Sequence, residues 1–189
     1  MERTLVLVKP DGVLRGLTGE IIARLERAAL KLVSLKMARA SRELAGKHYA
    51  ADPEWMRSVG EKALEAAKKR GAPVKESAEQ IGQRVRGQLI EYLTIAPVVA
   101  MVFEGNNAVL KVRSIVGATS PEHAAPGTIR GDFCTDSYAL ADSSKRPVQN
   151  LIHASGTVEE AERELAVWFS PKEIGNYQRT DDALIYRKG

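Results

Sequence analysis

The stretch Leu5-Val6-Leu7-Val8 is continuously apolar and stops at the turn signal Pro10-Asp11-Gly12. A short run of this kind is typical of a strand that is buried on both faces and followed by a turn. From Thr18 onward, apolar side chains recur at spacings of three and four as far as Leu32, and charged side chains fill positions between them. This spacing predicts an amphipathic helix. The chain therefore begins with a buried strand and a helix that packs on it.

Later apolar patterns predict the rest of a sheet. Val33, Leu35 and Met37 alternate with polar or small residues, which predicts a second strand with one face wet or lightly covered. Residues 97–103 predict a third strand, and Leu151-Ile152 predicts a short fourth one. The cap residues expected to begin helices are Thr18, Ser41, Asn106 or Asn107, and Thr157. This order is the βαββαβ pattern of a ferredoxin-like α+β sandwich, with helices over one face of an antiparallel sheet.

Two stretches extend this pattern. Residues 50 to about 84 are polar and rich in Ala, Lys and Glu, and Gly71-Ala72-Pro73 divides them, which predicts an inserted helical hairpin. Residues 135–149 have loop character over a length that exceeds the usual connection, which indicates a function, an interface or an insertion. We expect a single domain over residues 1–189, because a domain has about 150 residues.

The composition indicates a globular protein with an anionic partner. Hydrophobic residues make up 44% and charged residues 28% of the chain, which excludes the collagen, coiled-coil and disordered classes. The net charge of +4 suits the phosphates of a small molecule as well as nucleic acid. Because aromatic residues are only 5%, a platform that stacks several bases is disfavoured. Nucleic acid is therefore an unfavoured partner.

The compartment follows from the cysteine content and the apolar runs. Cys134 is the only cysteine, which rules out an intramolecular disulfide and a cysteine-rich metal site. Its simplest role is that of a small apolar side chain. The apolar runs are too short for a signal sequence or a membrane span. We expect a cytoplasmic protein that is not inserted in a membrane.

The common phosphate and metal motifs are absent from the sequence. It contains no G-x-x-x-x-G-K-[ST], no G-x-G-x-x-G after a strand, no H-E-x-x-H and no C-x-x-C. This excludes Walker-type NTPases, Rossmann dehydrogenases and zincins. The three histidines, His48, His123 and His153, lie in different local contexts and never at a spacing of four, so their pattern does not favour a metal site.

His153 is the histidine that is best placed for chemistry. It lies at the predicted end of the last strand and precedes a turn, which would present its ring outside the core. A neutral imidazole is a competent nucleophile near pH 7, because its reference pKa is about 6.5. Glu164, in the following helix, would fix the tautomer and orientation of the ring. The alternative is that His153 is a structural histidine and Glu164 is a solvated helix residue.

Three cations come from separate predicted elements. Lys9 follows the first strand, Arg113 lies on the helix after Asn107, and Arg130 lies in the turn-rich segment 127–132. If they converged they would bind one polyphosphate, because guanidinium groups bind phosphate oxygens in a bidentate manner. Taken singly, each is more simply a surface charge.

The chain carries four groups of residues in a particular order. They are Val8-Lys9-Pro10-Asp11-Gly12, Arg15-Gly16-Leu17 with Gly19-Glu20-Ile21, Pro126-Gly127-Thr128-Ile129-Arg130-Gly131-Asp132-Phe133, and Asn150-Leu151-Ile152-His153-Ala154-Ser155. Together they resemble the nucleoside diphosphate kinase family. The resemblance implies a ping-pong reaction in which His153 takes the γ-phosphate of a nucleoside triphosphate, becomes phosphohistidine, and gives the phosphate to a nucleoside diphosphate.

The resemblance also implies roles for particular residues. His153 matches the nucleophile, Ser155 and Glu164 match its supporting pair, and Lys9 belongs to this catalytic group. The residues that match the nucleotide site are Lys9, Tyr49, Leu89, Arg113, Thr119, Arg130 and Asn150. In the family the lysine and asparagine reach the ribose hydroxyls and phosphates, and the threonine and arginines hold the phosphates. Mg²⁺ bridges the β- and γ-phosphate oxygens and is bound mainly through the nucleotide.

The chain departs from the family pattern at several positions. The family has Gly and Asp where this chain has Ala154 and Gly156, which affects the turn after the nucleophile. The base-stacking phenylalanine falls by register at Val85, with Trp55 as an alternative, and Leu89 matches a second apolar wall. The family assembles as a hexamer, but the longer segment 135–149 lies in a region associated with subunit contacts. We expect a homo-oligomer.

Two other functions stay open on the sequence alone. One is a nucleotide-binding or regulatory protein that keeps the pocket and lacks turnover. The other is a basic nucleic-acid-binding module on the same fold, which the net charge permits but which lacks an aromatic pair on a central strand.

Overall fold

The computed structural model describes residues 1–69, 71 and 74–186, and its four strands form one antiparallel sheet. The strands are Glu2–Val8 (β1), Lys31–Ala38 (β2), Val98–Gly105 (β3) and Ile152–Ala154 (β4). Their order across the sheet is β2-β3-β1-β4, with β1 paired to β3 over its full length and to β4 only near its end. The predicted βαββαβ sandwich is confirmed.

The helices of the described part of the chain connect and flank these strands. They are Pro10–Leu14 (α1), Thr18–Arg27 (α2), Arg42–His48 (α3), Pro53–Lys69 (α4), Ala78–Thr94 (α5), Ala108–Val116 (α6), Ile129–Phe133 (α7), Tyr138–Ser143 (α8), Val158–Trp168 (α9) and Asp182–Ile185 (α10). Short 3₁₀ turns occur at Pro121–His123 and Pro171–Glu173. Among the described residues, no helix is both long enough and apolar enough to cross a bilayer.

Three helix starts agree with the predicted caps in position, and two of these also in mechanism. Thr18 is instead the first residue of α2, with Leu17 at the cap position. The side chains of Ser41 and Thr157 accept hydrogen bonds from the first turns of α3 and α9. Asn107 precedes α6, but its side chain forms no cap hydrogen bond and its backbone is left-handed, with φ of 49°. Instead the carboxylate of Glu2 accepts the N–H of Val109 at 2.6 Å. The cap of α6 therefore comes from the first strand.

The core lies on both faces of the sheet, so the expectation of helices over one face is wrong. Val6 and Val8 of β1 pack with residues of α2 and α6. Leu5 and Leu7 point to the opposite face and pack with residues of α3, α5 and α9. A strand that is apolar at consecutive positions needs cover on both sides, and the continuous run had indicated this double burial.

A bulge changes which residues of β2 share a face. The register shifts between Leu32 and Ser34. Val33 therefore joins the core under α3, α5 and α9, whereas Leu35 and Met37 point to the other face and are 48% and 63% exposed. One face of β2 is lightly covered, but it is the face of Leu35 and Met37 and not the expected polar face, so the expected common face for Val33, Leu35 and Met37 is wrong.

The predicted helical hairpin is formed by α4 and α5. Ser77 caps α5 in a capping box with Gln80, and the helix continues to Thr94. Of the predicted break, Ala72 and Pro73 lie outside the described residues. The backbones of the two helices approach each other closely at two glycines. A Cβ at Gly60 or Gly82 would collide with the backbone of the facing helix.

The segment 135–149 was expected to be a loop, but it contains α8. Its ends are joined through Asp136, whose buried carboxylate accepts hydrogen bonds from two guanidinium nitrogens of Arg146 and from the N–H of Gln149. Burial raises the pKa of Asp136, but these hydrogen bonds outweigh it and the pKa is lowered overall. The segment is thus closed by a partly buried ion pair immediately before Asn150.

Two glycines of α5 predict opposite responses to the same substitution. Gly82→Ala places a methyl group against the backbone of Met56 in α4, so we expect the free energy of unfolding to fall by about 1–3 kcal/mol. Gly87→Ala meets no atom within 4 Å and should raise it by about 0.5–1 kcal/mol through helix propensity. Urea unfolding of both variants measures these free energies. Equal changes in the free energy of unfolding would contradict the close packing of α4 on α5 at Gly82.

Candidate active site

The junction between β1 and β4 sets the position of His153. His153 lies on β4 opposite Leu7. The preceding Leu151 has a left-handed backbone, with φ of 65°, which is uncommon for a bulky residue. Its carbonyl accepts the N–H of Lys9 at 2.8 Å, and its N–H donates to the carboxylate of Asp11 at 3.0 Å. The turn after β1 therefore holds the unusual conformation that brings β4 to the sheet.

The ring of His153 is held through one nitrogen. Its Nε2 lies 2.8 Å from Oε2 of Glu164, and the hydroxyl of Ser155 donates to the same oxygen at 2.7 Å. The Glu164 side chain is 1% exposed, whereas that of His153 is 17% exposed. With Nε2 engaged, Nδ1 has no hydrogen-bond partner among the described residues and is the nitrogen free to attack an electrophile.

The protonation states of this pair follow from burial and from nearby charge. Burial, together with the positive charges of Lys9 and Arg130, lowers the pKa of His153. Burial raises the pKa of Glu164, and its hydrogen bond with Ser155 is among the effects that oppose this rise. A lowered pKa keeps the imidazole neutral near pH 7, which is the nucleophilic form.

Lys9 and Asn150 form a buried polar pair beside the histidine. The ammonium group of Lys9 donates to Oδ1 of Asn150 at 2.8 Å, and Nδ2 of Asn150 donates to the carbonyl of Thr119 at 2.8 Å. Lys9 and Asn150 are 6% and 4% exposed. Burial, and repulsion by Arg130, lower the pKa of Lys9 to about 8.

Arg130 is fixed by backbone carbonyls. Its three guanidinium nitrogens donate to the carbonyls of Gly117, Asn150 and Ile152 at distances of 2.7 to 3.2 Å. Burial, and repulsion by Arg113, lower its pKa to about 10. Among the described residues, neither Arg130 nor Lys9 has a carboxylate within ion-pair distance. Although the charge of Asp11 acts on both, two buried cations with no carboxylate in ion-pair contact make this site attractive to an anion.

Arg113 and Thr119 lie at the edge of this group. Arg113 is an exposed residue of α6 and is close enough to Arg130 to affect its pKa. Thr119 is exposed, and its backbone is tied to Asn150. Lys9 and Arg130 are buried, so the interpretation of these two as surface charges is wrong, whereas Arg113 is exposed and lies near Arg130.

Tyr49 and Leu89 are the remaining residues that were expected at the nucleotide site. Tyr49 directly follows α3, and its buried hydroxyl has no hydrogen-bond partner among the described residues. Burial raises the pKa of this hydroxyl, and the charges of Glu164 and Arg130 also act on it. Leu89 is half-buried on α5, one turn before Tyr92, whose ring lies 6.0 Å from the Lys9 ammonium. No described hydrogen bond or ring contact joins Leu89 to Lys9, Asn150 or Arg130.

The turn after the nucleophile is held in a way that the sequence did not predict. The N–H of Gly156 donates to Oε2 of Glu160 at 2.6 Å. A Cβ at position 156 would lie only 2.5 Å from that oxygen and 3.7 Å from a guanidinium nitrogen of Arg113. The glycine thus leaves room for the carboxylate of Glu160 to reach the turn. The spacing of Glu160 from the cap residue Thr157 was the available sequence signal.

One group of side chains has ligand atoms close enough to hold a metal. Atoms of His48, His153 and Glu164 lie within 4.8 Å of one another. The cationic side chains that lower the pKa of His153 would also repel a metal ion at this position. We interpret the group as the hydrogen-bonded pair of His153 and Glu164 with the ring of His48 packed against it. His48 was not predicted to contribute to the site.

A sandwich that presents a neutral imidazole beside buried cations defines a class of enzymes that transfer phosphoryl groups through histidine. A family model described as "Nucleoside diphosphate kinase" matches residues 2–56 and 73–174. The chain belongs to the nucleoside diphosphate kinase family. The match leaves out residues 57–72, of which 57–69 belong to α4.

Relatives and solved structures agree with this family. The nucleoside diphosphate kinase of Pyrobaculum aerophilum is 46% identical over 92% of this chain and 98% of the relative. The nucleoside diphosphate kinase of Archaeoglobus fulgidus is 44% identical over 100% of this chain and 99% of the relative. A crystal structure of the Pyrobaculum aerophilum enzyme has a TM-score of 0.90 at 44% identity and covers 93% of this chain and 99% of that one.

A second solved structure carries ligands. The Borrelia burgdorferi nucleoside diphosphate kinase, a transition-state mimic with bound vanadate and ADP, has a TM-score of 0.80 at 37% identity over 98% of this chain and 96% of that one. By its family, this chain is a phosphotransferase that acts on nucleotides.

Asp11 should be needed for the position of the nucleophile. Asp11→Ala leaves the buried N–H of Leu151 without an acceptor, which we expect to cost about 1–3 kcal/mol of unfolding free energy. Asp11→Asn keeps an oxygen acceptor and should recover most of this loss. Thermal unfolding with calorimetry measures both, and equal stability of the two variants would contradict the assigned contact.

Proposed function

We propose that His153 carries the phosphoryl group between nucleotides and that Nδ1 is the attacking atom. The observation that carries this proposal is the engagement of Nε2 by Glu164, which leaves Nδ1 as the free nitrogen of a neutral ring. The reaction is a ping-pong exchange between a nucleoside triphosphate and a nucleoside diphosphate. The family assignment supports this chemistry.

In the first half-reaction, the lone pair of Nδ1 attacks the γ-phosphorus. The bond between that phosphorus and the bridging oxygen breaks, and its electron pair leaves with the diphosphate. The imidazole then carries a positive charge, and the Glu164 carboxylate compensates it through Nε2–H. The second half-reaction is the reverse with a different diphosphate, so one site serves donor and acceptor.

The cations supply the electrostatic part of catalysis. Phosphoryl transfer requires in-line positioning and positive charge around the equatorial oxygens. Lys9 and Arg130 are already fixed by hydrogen bonds to protein groups, so they need little reorganisation when phosphate arrives. Arg113 and Thr119, at the exposed edge, would close on the phosphates. Asn150 orients Lys9 and reaches toward the ribose and phosphates.

Mg²⁺ fits this site as part of the substrate. The cationic side chains proposed to bind phosphate donate hydrogen bonds and are not metal ligands; they are Lys9, Arg113 and Arg130. The ion would therefore be held by the phosphate oxygens of the nucleotide. When bound it neutralises charge between the β- and γ-phosphates. The protein groups hold the same phosphates from the other sides.

The nucleoside would lie against the hairpin. Leu89 and Val85 are half-buried one turn apart on α5 and offer an apolar wall for the base, and Tyr49 borders the phosphate side. An apolar wall without base-specific hydrogen bonds predicts broad tolerance of the base. Trp55, half-buried on α4, is the alternative contact.

We further propose one domain over residues 1–189, with insertions at about 50–84 and 135–149. The exposed Leu35 and Met37 on an edge strand support a homo-oligomer, with the hexamer as the assembly that the resemblance implies. The single unpaired Cys134 supports a cytoplasmic location.

Labelling tests the nucleophile. Incubation with γ-³²P-labelled triphosphate and Mg²⁺ should give an acid-labile, alkali-stable protein phosphate, and His153→Ala should abolish it. His123→Ala, an exposed histidine outside the site, is the matched control and should label like the unmodified protein. Equal labelling of His153→Ala would show that another residue is the nucleophile.

The pH profile tests the state of Lys9. Because its pKa in the free protein is lowered to about 8, the charged form is lost as pH rises above that value. We expect kcat/KM for the triphosphate to fall up to about tenfold per pH unit above pH 8. The kcat at saturating nucleotide should fall at higher pH, because bound phosphate retains the proton on Lys9. A kcat/KM that stays level to pH 10 would contradict this assignment.

A further inference from the structure

His48 is a second histidine that lies directly behind the nucleophile. It ends α3, and its side chain is fully buried. Its ring meets that of His153 edge to face, with centroids 4.5 Å apart and an angle of 86° between the planes. The ring of Trp168 lies 5.9 Å away. The mechanism above assigns His48 no part.

A histidine in this place costs stability. Neither ring nitrogen of His48 forms a hydrogen bond with any described residue. A buried polar group without a partner loses its hydration and gains no equivalent contact. An apolar ring of similar size would fill the same space, between aromatic neighbours, without this cost. A purely structural role therefore does not explain why an imidazole stands here.

The carboxylate of Glu164 indicates what His48 does. Its Oε2 is bound at short distance by His153 and Ser155. Its Oε1 lies 3.6 Å from Nδ1 of His48 and 3.7 Å from a guanidinium nitrogen of Arg163, longer than hydrogen bonds. The groups around Oε1 therefore act on the rotation of the carboxylate, and the contact of Oε2 with Nε2 of His153 depends on this rotation.

We propose that His48 is a positioning residue for phosphoryl transfer, whose Nδ1–H donates to Oε1 of Glu164 when His153 carries phosphate. The proposal rests on the proposed function. In the free protein the contact is long, and catalytic hydrogen bonds of this kind often shorten only when the reacting charge develops. The positive charge on the phosphorylated ring draws the Glu164 carboxylate toward Nε2, and the donor on Oε1 keeps the carboxylate aligned.

The neutral state of His48 suits this role. Burial and the neighbouring His153 lower the pKa of His48 well below its usual value. A neutral imidazole donates one hydrogen bond without adding positive charge beside the ring that becomes cationic. Arg163, the other group near Oε1, has an exposed side chain and is therefore held less firmly.

Two substitutions separate positioning from packing. His48→Phe keeps a ring and removes the donor, whereas His48→Asn keeps an N–H donor near the position of Nδ1. We expect His48→Phe to unfold at the same temperature as the unmodified protein or higher, and to phosphorylate His153 about tenfold more slowly in single-turnover experiments. Its dissociation constant for the nucleotide should stay within about twofold, and His48→Asn should recover most of the rate.

The outcomes are distinct. If His48→Phe transfers phosphate as fast as the unmodified protein, or if Phe and Asn slow it equally, the proposal is overturned. If the unmodified protein takes up no phosphate, the proposed function fails together with this inference.

A measurement on the unmodified protein covers the case in which the variants do not fold. In ¹⁵N NMR of labelled histidine, His48 should carry its proton on Nδ1, and this resonance should shift when His153 is phosphorylated. A proton on Nε2 of His48 in both states would overturn the proposal.

Discussion

The hydrogen bond between Nε2 of His153 and the buried carboxylate of Glu164 is the interaction on which the site depends. It sets the tautomer of the ring, leaves Nδ1 free, and places a negative charge where the phosphorylated ring becomes positive. Because Glu164 is 1% exposed, water does not compete for this contact. Ser155 shares the same oxygen and fixes the carboxylate from a second direction.

The cations show how the fold holds buried positive charge without a carboxylate in ion-pair contact. Lys9 and Arg130 are buried beside each other, and their hydrogen bonds go to an amide oxygen and to backbone carbonyls instead of carboxylates. This arrangement opposes folding, since it desolvates two charges without pairing them. It is consistent with a site in which phosphate supplies the missing negative charge. The compensating stability comes from the apolar cores on both faces of the sheet.

Much of this arrangement could be predicted from local sequence. The continuous run at residues 5–8 predicted a central strand, and the caps Ser41 and Thr157 predicted two helix starts, because both signals act over a few residues. The pairing of His153 with Glu164 was also predicted, since a strand end and the next helix are constrained to meet. The resemblance added Asn150 and Thr119, which no local pattern identified.

The features that the sequence did not predict share a different cause, because these features depend on contacts between distant segments. The bulge in β2 reverses the face of Leu35, and only the register with β3 shows it. Helix α8 lies in a segment that reads as loop and is closed by the contact of Asp136 with Arg146. His48 is separated from Glu164 by more than a hundred residues, so its position behind the nucleophile required the fold.

The most direct test of the central claim is to locate the phosphate on the ring of His153. Two-dimensional ³¹P–¹⁵N correlation NMR of the phosphorylated protein, labelled with ¹⁵N-histidine, reports which nitrogen is bonded to phosphorus. The account predicts phosphorus on Nδ1, with a proton retained on Nε2 by Glu164. Phosphorus on Nε2, or on a residue other than His153, would contradict it.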